Sequence, residues 1–474
     1  MNWRFDRRLL GEVWGLAWPT VVYSVLDSLL GLADIYMVGK LKDIGTEAMA
    51  AVGFAQQVLM LVSVGALAVS TGTITLVAQA MGAKDRKVAG RVAGQSLLSM
   101  CALGSVVAVP GVLLSRWFLE LMGAGGVVLQ EGSAYLKLLL GASPLMMINF
   151  ALAATFRGSG DTMTPLKIAL TFNGVNVLGN WLFIFGVGPF PRLGVAGAAV
   201  GTIIGRSVGA AVGVTILLRG HHRVHCRFGG SAGWVDLPLV RRMLNVGLPA
   251  AAQGLFRNGA RVLFFTVVAG SVFHAAAAAA LTVGQRVILI TQMPSLAFQV
   301  AAAALVGQSI GAKDWKQAEG YGWETVKLCG VIMAAMAAVQ WLASTVIMSI
   351  FTKDEQVVAL GVTVLRYFAV AQIFSSIAIT SAGGLVGAGD TRPALYYTIL
   401  GQWVVMLPLA WLLMRVGGLD PQGAWLAWTA AQVVQMVLTL QRFRSGKWKE
   451  VRVWGAPGPR ELASEVVSAP DEGG

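Results

Sequence analysis

Long apolar runs separated by short polar breaks recur from residue 13 to residue 443 of this 474-residue chain. A helix needs roughly 20 predominantly apolar residues to cross about 30 Å of hydrocarbon. Runs of that order fall at residues 13–36, 48–80, 93–116, 133–156, 163–187, 194–218, 240–270, 277–309, 321–351, 357–386, 393–416 and 422–443. The pattern predicts an all-α integral membrane protein with twelve transmembrane helices, six on either side of a polar break near residues 220–238. Pro19, Pro249 and Pro294 lie inside spans, where the missing N–H and the ring make natural kink sites.

The two halves carry the same polar punctuation. Gly82-Ala83-Lys84-Asp85 returns as Gly311-Ala312-Lys313-Asp314, and Gly158-Ser159-Gly160-Asp161-Thr162 returns as Gly387-Ala388-Gly389-Asp390-Thr391. Both offsets are 229 residues (311 − 82 and 387 − 158), and Gln79 and Lys87 recur as Gln308 and Lys316. Gene duplication accounts for two motifs repeating in register. The expected organisation is two pseudo-symmetric six-helix lobes, residues 1–219 and 239–443, a cytoplasmic linker at 220–238 and a tail at 444–474 that reads as disordered. With six spans per half, the copies share one orientation, so the repeat is parallel about the membrane normal. Asp85 and Asp314 sit just ahead of a span, where a carboxylate caps a helix or fixes a turn, and Asp161 and Asp390 read the same way.

Composition agrees with a bilayer: 56% hydrophobic residues, 12% charged, mean hydropathy +0.69. A net charge of +13 would suit nucleic acid, but the basic residues cluster by topology. Arg4, Arg7, Arg8, Lys84, Arg86, Lys87, Arg91, Arg157, Lys167, Arg219, Arg223, Arg227, Arg241, Arg242, Lys313, Lys316, Arg392, Arg442, Arg444, Lys447, Lys449 and Arg452 fall on one side of the spans, and the opposite loops hold little beyond Lys40, Lys42, Arg116, Arg192, Lys353 and Arg415. The positive-inside rule then puts both termini in the cytoplasm of a multi-pass cell-membrane protein, with no nucleic-acid partner. The basic start leads into a span with its own acids and does not read as a cleavable signal peptide. Cys101, Cys226 and Cys329 are odd in number and scattered, which excludes a disulfide framework. His221, His222, His225 and Cys226 have spacings that could hold zinc, but Arg219, Arg223 and Arg227 beside them repel a cation and suit anionic headgroups. No metal site is expected.

Ala33-Asp34-Ile35-Tyr36-Met37-Val38-Gly39, the Gln79–Asp85 loop, Phe156-Arg157-Gly158-Ser159-Gly160-Asp161-Thr162 and Gly194–Arg206 (GVAGAAVGTIIGR) resemble the multidrug and toxic compound extrusion (MATE) family. Gly247-Leu248-Pro249, Met293-Pro294 through Gly307-Gln308-Ser309-Ile310-Gly311-Ala312, and Gly389-Asp390-Thr391 extend the resemblance across the second half. The resemblance implies a cation-coupled antiporter that exports bulky, amphipathic, mostly cationic compounds. It would work by alternating access from a cavity between the lobes, with a proton or a sodium ion as coupling ion and no other cofactor.

Asp27 and Asp34 lie seven residues apart in span 1, about two helical turns, and share a face. A carboxylate in hydrocarbon costs about 2.5 to 3.5 kcal/mol, and desolvation favours the neutral form of such a group, a proton acceptor in waiting. Asp34 matches the family's coupling acid; Asp27 has no counterpart in the motif. Asn176 and Asn180 of span 5 and Thr202 of span 6 could complete an oxygen cage with Asp34. Many relatives have an aspartate at position 180, so this chain has one carboxylate fewer, which favours proton over sodium. Interhelical amide bonds are the structural alternative for the asparagines.

The second half departs further, reading Gln253-Gly254-Leu255-Phe256-Arg257-Asn258 where one branch of the family has a glutamate. Arg257 keeps its charge and cannot cycle a proton. With Arg261 and Arg286 it makes the second lobe a fixed positive element, or else a site for an anion. Met146, Met147, Phe150, Gln253, Phe256, Arg257, Gln292 and Met293 are candidates for lining the substrate cavity, since aromatic and thioether surfaces adapt to flat cations. The arginines keep alive an alternative, a flippase or exporter of lipid-linked or anionic substrates. No carbonyl filter or charged ring points to a channel, and no nucleophile–base constellation points to an enzyme. Small-molecule substrates and membrane lipid are the expected partners, and a two-lobed chain needs no second copy, so a monomer is expected.

Overall fold

All twelve apolar runs are helical in the computed structural model, which describes residues 6–41, 44–220, 224–226, 234–271, 274–451 and 453–454. The first six runs become α1 (Arg7–Gly39), α2 (Gly45–Gly82), α3 (Arg86–Leu121), α4 (Gly126–Gly141) with α5 (Ser143–Gly158), α6 (Met163–Phe185) and α7 (Val195–Arg219). The second six become α8 (Leu237–Ala269), α9 (His274–Thr291) with α10 (Met293–Gly311), α11 (Trp315–Phe351) and α12 (Glu355–Ala388). They finish with α13 (Arg392–Thr398), a π-helical segment (Ile399–Met406), α14 (Leu407–Arg415) and α15 (Gln422–Arg444). Among the described residues ten helices are long and apolar enough to cross a membrane, and the bent pair α4–α5 makes eleven. The twelfth long helix is α8, whose arginines at 241, 242, 257 and 261 dilute its apolar character.

Two spans differ from the simple reading. The run 133–156 is not one helix: α4 and α5 meet at a 53° bend around Ala142, where Pro144, in the first turn of α5, has no N–H to continue the α4 ladder. The run 393–416 contains the π-helical turns, whose i→i+5 bonds leave no period in a sequence this rich in apolar residues. The helices also overrun the apolar stretches, because hydropathy marks the hydrocarbon while capping residues mark the helix. Asp85, for example, starts α3 seven residues before the apolar run at 93 by accepting bonds from the N–H groups of Lys87 and Val88.

The chain forms two compact units, Trp18–Gly247 and Met1–Ala17 with Leu248–Gly474. The expected boundaries at 219 and 239 are thus displaced. The first turns of α1 belong with the second half, and the first turns of α8 with the first half. In both helices the change falls immediately before the dipeptide that carries the interior proline, Trp18-Pro19 and Leu248-Pro249.

Inside the first unit, α4 and α5 pack on α2, α3 and α7, while α6 pairs with α7. Inside the second, α12 packs on α9, α10, α11 and α15, while the segment α13–α14 pairs with α15. In both, the fourth span is the one its second, third and sixth neighbours share, as the duplication requires. Phe264, Phe368, Trp425 and Trp428 form one aromatic core of the second unit, both phenyl rings meeting Trp425 edge-on and Trp428 at a tilt. Val13 and Ala17 of α1 join Phe298, Leu305, Phe443 and Trp448 in another.

The repeated motifs hold matching turns. Lys84 (φ 58°) and Lys313 (φ 59°) are the only non-glycine residues with positive φ among those described. Each precedes a capping aspartate, Asp314 accepting from Gln317 N–H. Gly160 and Gly389 likewise share φ of 80° and 84°. Asp161 then accepts from the backbone and hydroxyl of Thr164. Asp390 has diverged and pairs with Arg442 at 2.7 Å. The segment expected to be disordered after residue 443 begins in order: Trp448 is buried against Phe443, with rings stacked at 5.1 Å, and Lys449 pairs with Glu319.

Candidate functional site

Span 1 of the first unit brings its acid to a chain of amides. Asp34 is buried, and its Oδ1 accepts a hydrogen bond from Asn180 Nδ2 at 2.5 Å. The same Nδ2 donates to Asn176 Oδ1 at 3.0 Å, Asn176 Nδ2 donates to Thr202 Oγ1 at 2.9 Å, and the Thr202 hydroxyl donates to the Ala198 carbonyl. The four residues named from the sequence on α1, α6 and α7 therefore meet in one network. Its donors all run one way, away from Asp34, apart from the single N–H that Asn180 turns back to the carboxylate.

The backbone makes this contact possible. Gly197, Gly201, Gly205, Gly209 and Gly213 fall every fourth residue along α7, a stripe of small residues facing α6. A Cβ on Gly201 would collide with the Asn180 side-chain oxygen and lie 2.6 Å from its backbone nitrogen. Only glycine lets α7 close over Asn180 and bring Thr202 to Asn176.

Several polar atoms at the site are unsatisfied. Asn180 Oδ1 and both amide atoms of Asn173, one turn before Asn176, are buried with no hydrogen-bond partner. Asp34 Oδ2 accepts no bond from any described residue. The charges acting on Asp34 are Arg206, which attracts the carboxylate, and Asp27, which repels it. Asp27 is exposed and forms no hydrogen bond with described residues, so it stands outside the network. Arg206 was visible in the sequence only as the end of the glycine-rich run. Its guanidinium lies over the Phe172 ring at 5.9 Å, and its carbonyl accepts from Asn149.

The residues named as cavity candidates scatter more widely. Met146 and Phe150 are partly buried, while Met147 is completely buried and belongs to the core of its unit. Gln253 donates to Thr398 Oγ1 at 2.9 Å, and Gln292, at the α9/α10 junction beside the partly buried Met293, donates to Ser375 Oγ at 3.2 Å. Phe256 is exposed, meets Trp403 edge-on, and its carbonyl accepts from Trp403 Nε1. Arg257 and Arg261 are partly buried with no partner among described residues. Sequence reasoning overlooked Glu324 and Lys327, a buried ion pair of 2.7 Å on α11, although their i,i+3 spacing near the start of an apolar run was the available signal. His221 and His222 lie outside the described residues, and no group of three potential metal ligands occurs among those described.

A duplicated, all-helical membrane protein with one buried carboxylate in an amide network has the construction of a secondary transporter. The sequence profile of the MatE family matches residues 19–182 and 257–412, and the chain belongs to that family. A probable multidrug resistance protein NorM of Thermotoga maritima is 28% identical over 452 residues, covering 95% of this chain and 96% of the relative. A protein of the same description from Deinococcus radiodurans is 29% identical, covering 90% and 93%. An uncharacterized transporter YisQ of Bacillus subtilis is 25% identical, covering 92% and 94%. Among solved structures, an outward-facing conformation of a multidrug resistance MATE family transporter of the MOP superfamily superposes with a TM-score of 0.84. At 21% identity it covers 94% of this chain and all of the other, a likeness of fold.

Proposed function

We propose that this protein is a proton-coupled antiporter that exports amphipathic, mostly cationic, toxic compounds by alternating access, with Asp34 as the coupling acid. The observation that carries the reading is the Asn180–Asp34 bond, because it joins the one buried carboxylate among the described residues of the first unit to α6 and, through Asn176, to Thr202 of α7. A hydrogen bond to an ionised carboxylate is about twice as strong as a neutral one. Protonation removes the charge that strengthens this link, so proton binding loosens the hold of α6 on α1, and deprotonation restores it. Pro19 gives α1 a place to bend when that hold changes.

Proton is favoured over sodium for a geometric reason. The two N–H groups of Asn180 point at Asp34 Oδ1 and Asn176 Oδ1, two of the oxygens a sodium ion would have to join. The names of the relatives, probable multidrug resistance proteins, support export of toxic small molecules. The protein is expected to act as a monomer in the cell membrane with both termini in the cytoplasm.

The test is efflux of ethidium from cells or proteoliposomes under separately imposed proton and sodium gradients, for wild type and Asp34→Asn. Export driven by the proton gradient and abolished in the variant is the expected result. Efflux that persists in Asp34→Asn, or that follows sodium alone, overturns the reading.

A further inference from the structure

We propose that Arg257 and Arg261 form a binding site for an oxyanion, a phosphate or carboxylate group, within the second unit. This goes beyond the coupling role given to Asp34 and uses none of the same residues.

The two arginines are one helical turn apart on α8 and each is partly buried. Neither makes a hydrogen bond, ion pair or ring contact with any described residue. Among the described residues the charge acting on Arg261 is that of Arg257, of the same sign. Among the described residues of the unit the acids that are buried as a whole, Glu324 and Asp390, are committed to Lys327 and to Arg442. Arginine stays ionised in proteins, and each such charge in a membrane helix costs about 2.5 to 3.5 kcal/mol near its centre. Like charges one turn apart add to that. Arg257 and Arg261 lie 12 and 8 residues from the end of α8 at Ala269, roughly 18 and 12 Å at 1.5 Å per residue, too deep for both to be terminal anchors.

The helix around them is tied to the π-helical segment and the end of α13. Gln253, one turn before Arg257, is bonded to Thr398, and the Phe256 carbonyl is bonded to Trp403 in the π-helical segment. Arg257 and Arg261 each follow by one residue a position on that packed face, Phe256 and the buried Ala260, so they stand on its flank about 100° round the helix. A π-helical turn against this face is the kind of irregularity that accompanies functional sites. A phosphate or carboxylate can take bidentate bonds from guanidinium groups and supplies the counter-charge that no described residue gives these two.

The anion could be the headgroup of an acidic lipid or the acidic group of a soluble substrate, and the experiment separates them. The full-length protein is reconstituted in phosphatidylcholine nanodiscs, and binding of phosphatidylglycerol and of carboxyfluorescein is measured for wild type and Arg257→Gln/Arg261→Gln. Loss of affinity by about tenfold or more for phosphatidylglycerol assigns a lipid headgroup, and the same loss for carboxyfluorescein assigns a soluble anion. Equal binding of both probes to the two proteins overturns the proposal. Should the double variant not fold, phenylglyoxal modification of the wild type, mapped by mass spectrometry, replaces it. Protection of Arg257 and Arg261 by either probe is expected, and protection by neither overturns the site. Because binding is read without transport, failure here leaves the Asp34 reading standing, and the reverse.

Discussion

Asn180 donates to Asp34 across 2.5 Å, joining residues 146 positions apart. The amide stands where the family resemblance leads one to expect a second acid, and it meets the carboxylate with a hydrogen instead of an oxygen. Asn180→Asp supplies that acid without changing the size of the side chain. The variant is expected to gain ethidium efflux driven by a sodium gradient, since the cage recovers one formal charge and one more oxygen donor. Efflux under sodium and proton gradients checks this. A variant that still ignores sodium would mean that the asparagine is not what sets ion choice.

Closure of α7 on α6 depends on Gly201. A Cβ there lies 2.6 Å from Asn180 N and 2.9 Å from Gly179 C, which are backbone atoms that cannot swing away. Gly201→Ala should therefore destabilise by about 1 to 3 kcal/mol and lower efflux, because the Asn180 side chain is displaced with it. Gly174→Ala, on an exposed part of α6 with nothing within 4 Å of its Cβ, is the control. It should be neutral or stabilise by up to about 1 kcal/mol through helix propensity. Thermal unfolding in detergent distinguishes the two.

Most of the architecture was legible because a bilayer imposes length on helices. The twelve apolar runs and the duplication correspond to features of the fold, and Pro294 stands in the first turn of α10 after the α9/α10 break. What escaped was set by packing. The unit boundaries inside α1 and α8 lie within continuous apolar helix, where no polar break marks them. The α4/α5 bend was signalled by Pro144, but the apolar stretch ran on through it. Asp34, Asn176, Asn180 and Thr202 were named because polar groups in hydrocarbon stand out. The Glu324–Lys327 pair escaped notice near the start of a span, where charges are common, and Arg206, midway along α7, was read only as part of the glycine-rich run. Met147 and Phe156 look alike in sequence to cavity-lining residues, yet both are core.

The Glu324–Lys327 pair makes a double-mutant prediction. Both side chains are buried, and Glu324 Oε2 has no hydrogen-bond partner, so Lys327 is its main compensation. Removing one partner from a buried pair costs about 3 to 5 kcal/mol because a charge is left alone. Lys327→Met should be the worse single change, as it strands a carboxylate that is already half satisfied. The double variant Glu324→Leu/Lys327→Met should recover most of the loss, since apolar replacement of a buried pair is often neutral. Chemical or thermal unfolding of the three variants reads this directly. Additive losses in the double variant would show that the two side chains act independently.

Cys226 lies beyond the end of α7 and is buried, which pushes its thiol up to about 11. The thiolate is the reactive form, so little of it exists at neutral pH. In a Cys101→Ser/Cys329→Ser background, maleimide labelling of native protein should be slow at pH 7 and rise steadily toward pH 10. Denatured protein, with an ordinary thiol, should label at once. Fast labelling of the native protein at pH 7 would place Cys226 in solvent.

Lys84 and Lys313 test the idea that the repeated motifs are scaffold. Both hold a left-handed conformation, at φ 58° and 59°, immediately before a capping aspartate. That conformation costs a non-glycine residue about 1 to 3 kcal/mol, whereas glycine adopts it freely at an entropic cost of about 0.5 to 1 kcal/mol. Lys84→Gly and Lys313→Gly should each stabilise the protein, by up to about 2.5 kcal/mol, the largest difference between those terms. Because the two turns are copies in different units, the gains should be equal and additive, with efflux unchanged. Unequal effects, or loss of transport in one variant alone, would instead give that lysine a role the other copy lacks, and the symmetry would extend to the backbone but not to the work the two loops do.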